Sequence, residues 1–345
     1  MRKVRRLEGV RIDWSPRTGD GFPHHPALDS KDKYAARPKI GKRRKAVQTN
    51  HPLKRYPRLS AAVPASLVSD VPHLREKTSK IGLTGRALAI FRVDEVIIFP
   101  DHLGQDQRRD VDLIATVLSY METPQYLRRR LFKIKPDLRY VGILPPLRTP
   151  HHPLQNRKKD LKVGEYREGV IVTSDRAGTQ VEIGVEHPVA VVNAKASMDT
   201  RVTVKIVQAG ENPKAELASR DEVEVYWGYT VTISRVPLGT FLKQRLFDLV
   251  IATSRRGEPF MKVADDVFIK WREAKRVIVA FGSPTQGLQE IVNQEGLKLE
   301  ELADFVVNTV SHQATETVRT EEALYATLAI LNLLTTQNLP NNLEP

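Results

Sequence analysis

The residues of this chain best suited to hold a ligand close to backbone fall in three short stretches of its C-terminal third. They are Thr253-Ser254-Arg255-Arg256-Gly257, Gly282-Ser283-Pro284-Thr285-Gln286-Gly287 and Asn308–Thr317. Each follows a continuous apolar run: Leu249-Val250-Ile251-Ala252, Val277-Ile278-Val279-Ala280-Phe281 and Phe305-Val306-Val307. Such runs suit strands buried on both faces, and a parallel α/β sheet binds ligands beyond the carboxyl ends of its strands. Gly282 and Gly287 let backbone approach a ligand closely. Their spacing is not a phosphate-binding P-loop, because Leu288 stands where that motif needs Lys. The same glycines would also serve as plain turn residues.

Other chemistry is thinly represented. The chain has no cysteine, which removes thiolate nucleophiles, thiolate metal sites and disulfides, and fits a reducing, intracellular compartment. His151 and His152 lie in the Pro-rich stretch Leu144–Pro153 and are expected to diverge. With no carboxylate or Cys pattern beside them they predict no metal site, and His151 is taken as an RNA contact. No Ser-His-Asp or paired-carboxylate arrangement can be argued from spacing.

The elements that must position the three loops read as alternating helices and strands from Ser60 onward. Thr84–Arg92 predicts a short helix, Val96–Phe99 a strand, and Val111–Tyr120 a helix with apolar spacing at Val111, Ile114, Ala115 and Leu118. Thr123-Pro124 opens a basic helix over Gln125–Phe132 that carries Arg128, Arg129 and Arg130. The stretch 161–227 differs. Val170–Val172, Gln180–Ile183, Val189–Val192, Val202–Val207 and Val223–Tyr226 are short, β-branched runs with turn signals between them. Five such strands predict a small OB-like barrel inserted into the larger domain. Near the C-terminus, Glu321 and Glu322 suit the positive end of a helix dipole, and Ala323–Leu334 is apolar enough to be buried in the core or at a homodimer interface.

Charge is distributed unevenly. Residues 1–60 hold 17 Lys and Arg against 5 Asp and Glu, while the remaining 285 hold 37 against 36. This predicts a basic arm, disordered alone, on an electrically balanced body, and points to a polyanionic partner. Arg and Lys that meet phosphates release condensed counterions, so nucleic acid is the favoured partner. The RNA-contact candidates are Arg2, Lys3, Arg5 and Arg6; Lys39, Lys42, Arg43, Arg44 and Lys45; Lys54, Arg55 and Arg58; and, in the body, Arg128, Arg129, Arg130, Arg148 and His151. Trp14, Phe22, Tyr34 and Tyr56 are interleaved and suited to stack on unpaired bases. Apolar runs are too short to span a bilayer and no secretory signal opens the chain, so a soluble, cytoplasmic protein is expected.

Several segments together carry a family resemblance. They are Tyr120–Arg129 (YMETPQYLRR), Val141–Pro153 (VGILPPLRTPHHP), Gly164–Gly169 (GEYREG), Tyr226–Tyr229 (YWGY) and Val318–Ala323 (VRTEEA). Over about residues 61–335 the chain resembles the SPOUT-class (α/β-knot) RNA methyltransferases, in the branch with a barrel inserted in the catalytic domain. The resemblance implies an α/β trefoil-knot domain, Rossmann-like in its parallel sheet, over 61–160 and 228–345, with the barrel over 161–227; it does not cover the basic arm over 1–60. It implies S-adenosylmethionine in the three loops, at Thr253, Phe281, Gly282, Gly287, Leu288, Thr309, Val310, His312, Gln313, Thr317 and Val318. It also implies a homodimer through the knot domain and methylation of an RNA base, for which Arg319 or Glu322 could polarise or deprotonate the base. The expected partners are ribosomal RNA of the large subunit and neighbouring ribosomal proteins, with a ribosome-associated location.

One loop departs from the family pattern. The usual Asn-Thr-x-Pro-Gly-Gln-small-Thr is here Asn308-Thr309-Val310-Ser311-His312-Gln313-Ala314-Thr315. Ser311 replaces a stiffening Pro, and His312 replaces a Gly where positive φ or close ligand approach is expected. Two readings therefore stand at this point: a methyltransferase acting on the large subunit, or a catalytically silent structural component held there by its arm.

Overall fold

The computed structural model describes residues 51–176, 178–192 and 196–336. The arm candidates Arg2, Lys3, Arg5, Arg6, Lys39, Lys42, Arg43, Arg44 and Lys45, and the aromatics Trp14, Phe22 and Tyr34, lie outside the described residues.

The main element is a six-stranded sheet in which every pairing is parallel. In chain order its strands are β1 (Arg58–Pro64), β2 (Glu95–Phe99), then β8 (Thr230–Ile233), β9 (Leu249–Pro259), β10 (Arg276–Ala280) and β11 (Phe305–Asn308). Their spatial order is β11-β9-β10-β1-β2-β8. Between β2 and β8 the chain forms a closed barrel of β3 (Tyr166–Asp175), β4 (Gly178–Glu182), β5 (Val189–Val191), β6 (Arg201–Gln208) and β7 (Lys214–Ala218).

The continuous apolar runs are explained by burial on both sides of the sheet. Along β10, Val277 and Val279 enter one core while Ile278 and Ala280 enter the other. Along β2, Val96 and Ile98 point one way, Ile97 and Phe99 the other. The first core is covered by α1 (Leu74–Ile90), α2 (Arg108–Glu122), α5 (Phe260–Glu273) and α8 (Thr320–Thr336). The second is covered by α4 (Leu238–Leu242), α6 (Leu288–Asn293) and α7 (Leu299–Leu302). The basic helix α3 (Gln125–Leu131) follows α2 directly. Helix α8 sets Leu324, Leu328 and Leu331 into the core and leaves Leu333 exposed. Among the described residues no helix is long and apolar enough to cross a membrane, and no group of three or more His, Asp or Glu is placed to hold a metal.

Three sequence expectations are corrected. Arg58, Leu59 and Ser60, assigned to the arm, open the strand Arg58–Pro64 between β10 and β2. Its small residues Ala61 and Ala62 are fully buried, because a strand covered on both faces has little room for larger ones. The helix expected at Thr84–Arg92 begins ten residues earlier, at Leu74. It buries Thr78, Lys80 and Thr84 among its apolar residues, which hides its period. The fifth barrel strand is Lys214–Ala218, not Val223–Tyr226. Val223–Tyr226 instead meets the incoming chain: Lys54 N–H donates to the Glu224 carbonyl at 2.9 Å and Tyr226 N–H to the Pro52 carbonyl at 2.8 Å.

A buried ionic cluster joins the barrel to the sheet. The Glu122 carboxylate, at the end of α2, receives Arg201 of β6 through two guanidinium nitrogens at 2.6 and 3.1 Å and Arg220 at 3.0 Å. Arg201 also donates to Glu168 of β3 at 2.6 Å, and Glu168 accepts from Thr203 and from the Trp227 indole. Gly228, at φ +81°, closes the cluster. A side chain there would stand 2.5 Å from the His151 ring and 2.7 Å from the Glu122 carboxylate.

His151 and His152 converge rather than diverge. Both Nε2 atoms meet the Glu122 carbonyl oxygen, at 2.8 and 2.7 Å. A carbonyl only accepts, so each imidazole donates through Nε2. Burial would raise the Glu122 carboxyl, but Arg201 and then His151 outweigh it and hold the group below the usual carboxylate range. Burial, and then His151, push the His152 imidazole down to about 3.

His152 titrates lower when folded than when unfolded, so its contribution is full above about pH 6.5 and is lost as pH falls toward 3. The depressed Glu122 carboxyl contributes in the same sense below its unfolded value. In H152Q, stability measured by chemical denaturation falls less steeply between pH 6.5 and 4 than in the parent. Parallel profiles would remove His152 from the acid response.

Candidate functional site

The strongest irregularity of the sheet lies between β9 and β11. Ala252 pairs with Val306, but the next residue of β11, Val307, pairs with Glu258. Thr253–Gly257 thus leave the pairing and rejoin it, producing a loop at the carboxyl end of the apolar part of β9. Gly257 lies where the strand returns. A Cβ there would come within 2.7 Å of the Val306 carbonyl oxygen, so backbone packs on backbone.

Two more loops reach the same place, one after β10 and one after β11. The Gly282–Gly287 turn is held by Ser283, whose hydroxyl accepts from Gln286 N–H at 2.9 Å and Thr285 N–H at 3.3 Å. Asn308 fastens the β11 loop to the β9 loop, donating through Nδ2 to the Arg255 carbonyl at 2.9 Å. Arg255 in turn donates to the Glu316 carbonyl at 2.6 Å. Thr320, at the start of α8, donates to the Gly282 carbonyl at 2.9 Å, and Thr253 to the Ala280 carbonyl at 3.0 Å. The three loops are therefore cross-linked mainly through backbone carbonyls.

They enclose a cleft of about 320 Å³. Of the residues expected to hold a cofactor, Thr253, Gly282, Gly287, Thr309, Val310, Gln313, Thr317 and Val318 line it. Phe281 and Leu288 are fully buried and support the loop from beneath. His312 does not line the cleft. It adopts φ +59°, the left-handed conformation that a glycine takes freely, and its side chain is exposed. The imidazole therefore points away from the place where it would compete with a ligand.

Arg319 and Glu322 are exposed and outside the cleft lining, joined by a 2.9 Å bond from Arg319 N–H to the Glu322 carboxylate. That contact closes the first turn of α8. The lining also includes residues not expected to hold a cofactor, among them Arg255, Arg256, Glu290, Glu316, Thr320 and Ala323. Arg255 and Arg256 stood in a loop already singled out. Glu290 carried no signal, since it sits one turn into a helix.

The body's RNA-contact candidates divide. Arg129 and Arg148 are exposed, and Arg130 is exposed with Asp199 beside it at 3.0 Å. Arg128 is engaged on the Thr123 and Met121 carbonyls and over the Tyr120 ring. His151 is fully buried. Arg55 is buried too, donating to Asn332 at 2.6 Å; burial, and then Arg92, lower its guanidinium to about 10. Arg58 pairs with Asp221, and Lys54 with the Arg220 carbonyl. Arg55 and His151 are thus taken up inside the body, not presented to RNA.

Residues 58–331 match the family model described as "Putative RNA methyltransferase". The chain belongs to this family. The 28S rRNA (uridine-N(3))-methyltransferase of Mus musculus is 35% identical over 304 residues, covering 79% of this chain and 75% of the relative. The human protein of the same name is 33% identical over 305 residues, covering 79% and 77%. An uncharacterized protein of Halobacterium salinarum is 33% identical over 290 residues, covering 79% and 98%.

The positive φ of His312 yields a test. A β-branched residue is strained there, whereas glycine relieves strain but adds unfolded-state entropy. H312G leaves stability within about 1 kcal/mol of the parent, while H312V lowers it by about 1–3 kcal/mol in denaturant titrations. Equal losses in both would show that the imidazole itself matters.

Proposed function

We propose that this protein transfers a methyl group from S-adenosylmethionine to a base of ribosomal RNA, with uridine N3 of the large subunit as the acceptor. The observation that carries the reading is the cleft itself: three cross-linked loops at the carboxyl ends of β9, β10 and β11, in a chain of an RNA methyltransferase family. The activity that the mouse and human relatives are named for supplies the acceptor.

The lining fits the donor. Val307, Val310, Val318 and Ala323 offer apolar surface to an adenine, the crossing loops offer backbone groups, and Arg256 and Glu290 offer charges to an amino-acid end. When bound, S-adenosylmethionine would supply an electrophilic methyl. The chain's part is to hold the loops rigid, through Asn308, Arg255 and Thr320, so that the base approaches in line. N3 of uridine carries a proton that must leave before or as the new bond forms, so the reaction depends on a base.

Membership of the SPOUT knot class, an OB-type identity for the barrel, a homodimer and contact with ribosomal proteins are parts of the same proposal. The silent structural reading drew its motive from Ser311-His312. The exposed His312 imidazole, outside the cleft lining, weakens that motive.

Purified protein incubated with S-adenosylmethionine and large-subunit RNA lacking the modification is expected to yield N3-methyluridine by mass spectrometry of the digested nucleosides. T320V, which unties α8 from the Gly282 carbonyl, should slow the reaction about tenfold or more. Absence of any methylated nucleoside, with donor binding intact, would redirect the acceptor. Absence of donor binding would remove the proposal.

A further inference from the structure

Arg256 and Glu290 face each other from different walls of the cleft, one on the β9 loop and one on α6, and both line it. Their closest approach, Arg256 Nη1 to Glu290 Oε1, is 3.9 Å. That is an ion pair without a hydrogen bond, so donors and acceptors on both heads remain available. Both side chains are open to solvent, at 82% and 50% exposure, so neither has been desolvated by the protein. Arg255 next door is different: its guanidinium is taken by the Glu316 carbonyl.

The glycine beside Glu290 shows where the carboxylate lies. A Cβ on Gly287 would come within 2.6 Å of Glu290 Oε2. The carboxylate thus lies over the backbone of the loop, in the space that a side chain at 287 would fill. A cation and an anion, held on separate elements and facing each other across a cleft, are complementary to a molecule carrying both charges on one carbon. An α-amino acid end has that form, with a carboxylate for the arginine fork and an ammonium for the glutamate.

We infer that Arg256 and Glu290 form a clamp for the zwitterionic amino-acid end of the methyl donor. Their loose contact is exchanged for two charge-assisted contacts to the ligand. The carboxylate of the ligand meets Arg256 and its ammonium meets Glu290. The clamp recognises the amino-acid end alone and makes no contribution to adenosine binding. This inference rests on the donor reading above.

The test is calorimetry on the full chain with two nucleosides. S-adenosylhomocysteine keeps the amino-acid end, and 5′-methylthioadenosine lacks it. The parent binds S-adenosylhomocysteine more tightly. In R256A and E290Q its affinity falls roughly 10-fold or more, the size expected when a charged hydrogen-bond partner is removed. Methylthioadenosine affinity stays within about twofold, and R256K recovers part of the loss. Unchanged S-adenosylhomocysteine affinity in both variants overturns the clamp and leaves the donor reading standing. A parallel loss of both ligands also overturns it, because the loop itself would then have moved. Failure of both ligands to bind the parent overturns the donor reading and the clamp together.

Discussion

The site depends on a break in one strand pairing. β9 must satisfy its backbone against β11 on both sides of an excursion of residues 253–257, and a parallel sheet tolerates such an excursion only where pairing resumes. Resumption requires Gly257, since any Cβ would meet the backbone of β11. Once the excursion is fixed, the remaining geometry follows. The β9 loop stands clear of the sheet, the β11 loop is tied to it through Asn308, and α8 ties the β10 loop through Thr320. The loops of the cleft are held by the side chains of Asn308, Arg255, Thr320 and Thr253, each donating to a main-chain carbonyl.

A second constraint acts at the opposite ends of the strands. Glu122 terminates α2, and Gly228 lies two residues before β8 begins, so the ionic cluster that anchors the barrel sits at the amino ends of the parallel strands. Taking a carboxylate out of water costs several kcal/mol, and a cluster of this kind is stable only with every partner in place. Arg201 and Arg220 meet the carboxylate of Glu122, and the two histidines meet its main-chain carbonyl. The arrangement gives specificity of docking: an α2 helix, a β6 strand and a Pro-rich loop must all arrive in register.

The sequence was most readable where burial is symmetrical. β2, β9, β10 and β11 appear as apolar runs because both faces of the sheet are covered. β1 was missed because small residues carry no hydrophobic signal, and β7 because Lys214 and Glu216 on its exposed face break the apolar run of Lys214–Ala218. The loops of the cleft were readable, and eight of the residues expected to hold a cofactor line it, but its charged pair was not. Glu290 reaches it from a helix, and only the excursion of β9 brings Arg256 opposite. Arg55 and His151 were misplaced for a related reason: in a sequence a basic residue outside an apolar run reads as surface, while the fold supplies Asn332 and the Glu122 carbonyl to receive them.

The position of the barrel is consistent with these constraints. A polypeptide inserted at the carboxyl ends of β2 and β8 would stand beside the loops that form the cleft. Inserted at the amino ends, it leaves those loops free to pack on one another. The barrel contributes its own core, from Ile171, Val181, Ile183, Val204 and Ile206, and meets the sheet through the polar cluster and a few aromatic contacts such as Tyr126 on the Glu168 carbonyl. Among the described residues the barrel core and the lining of the cleft have no residue in common.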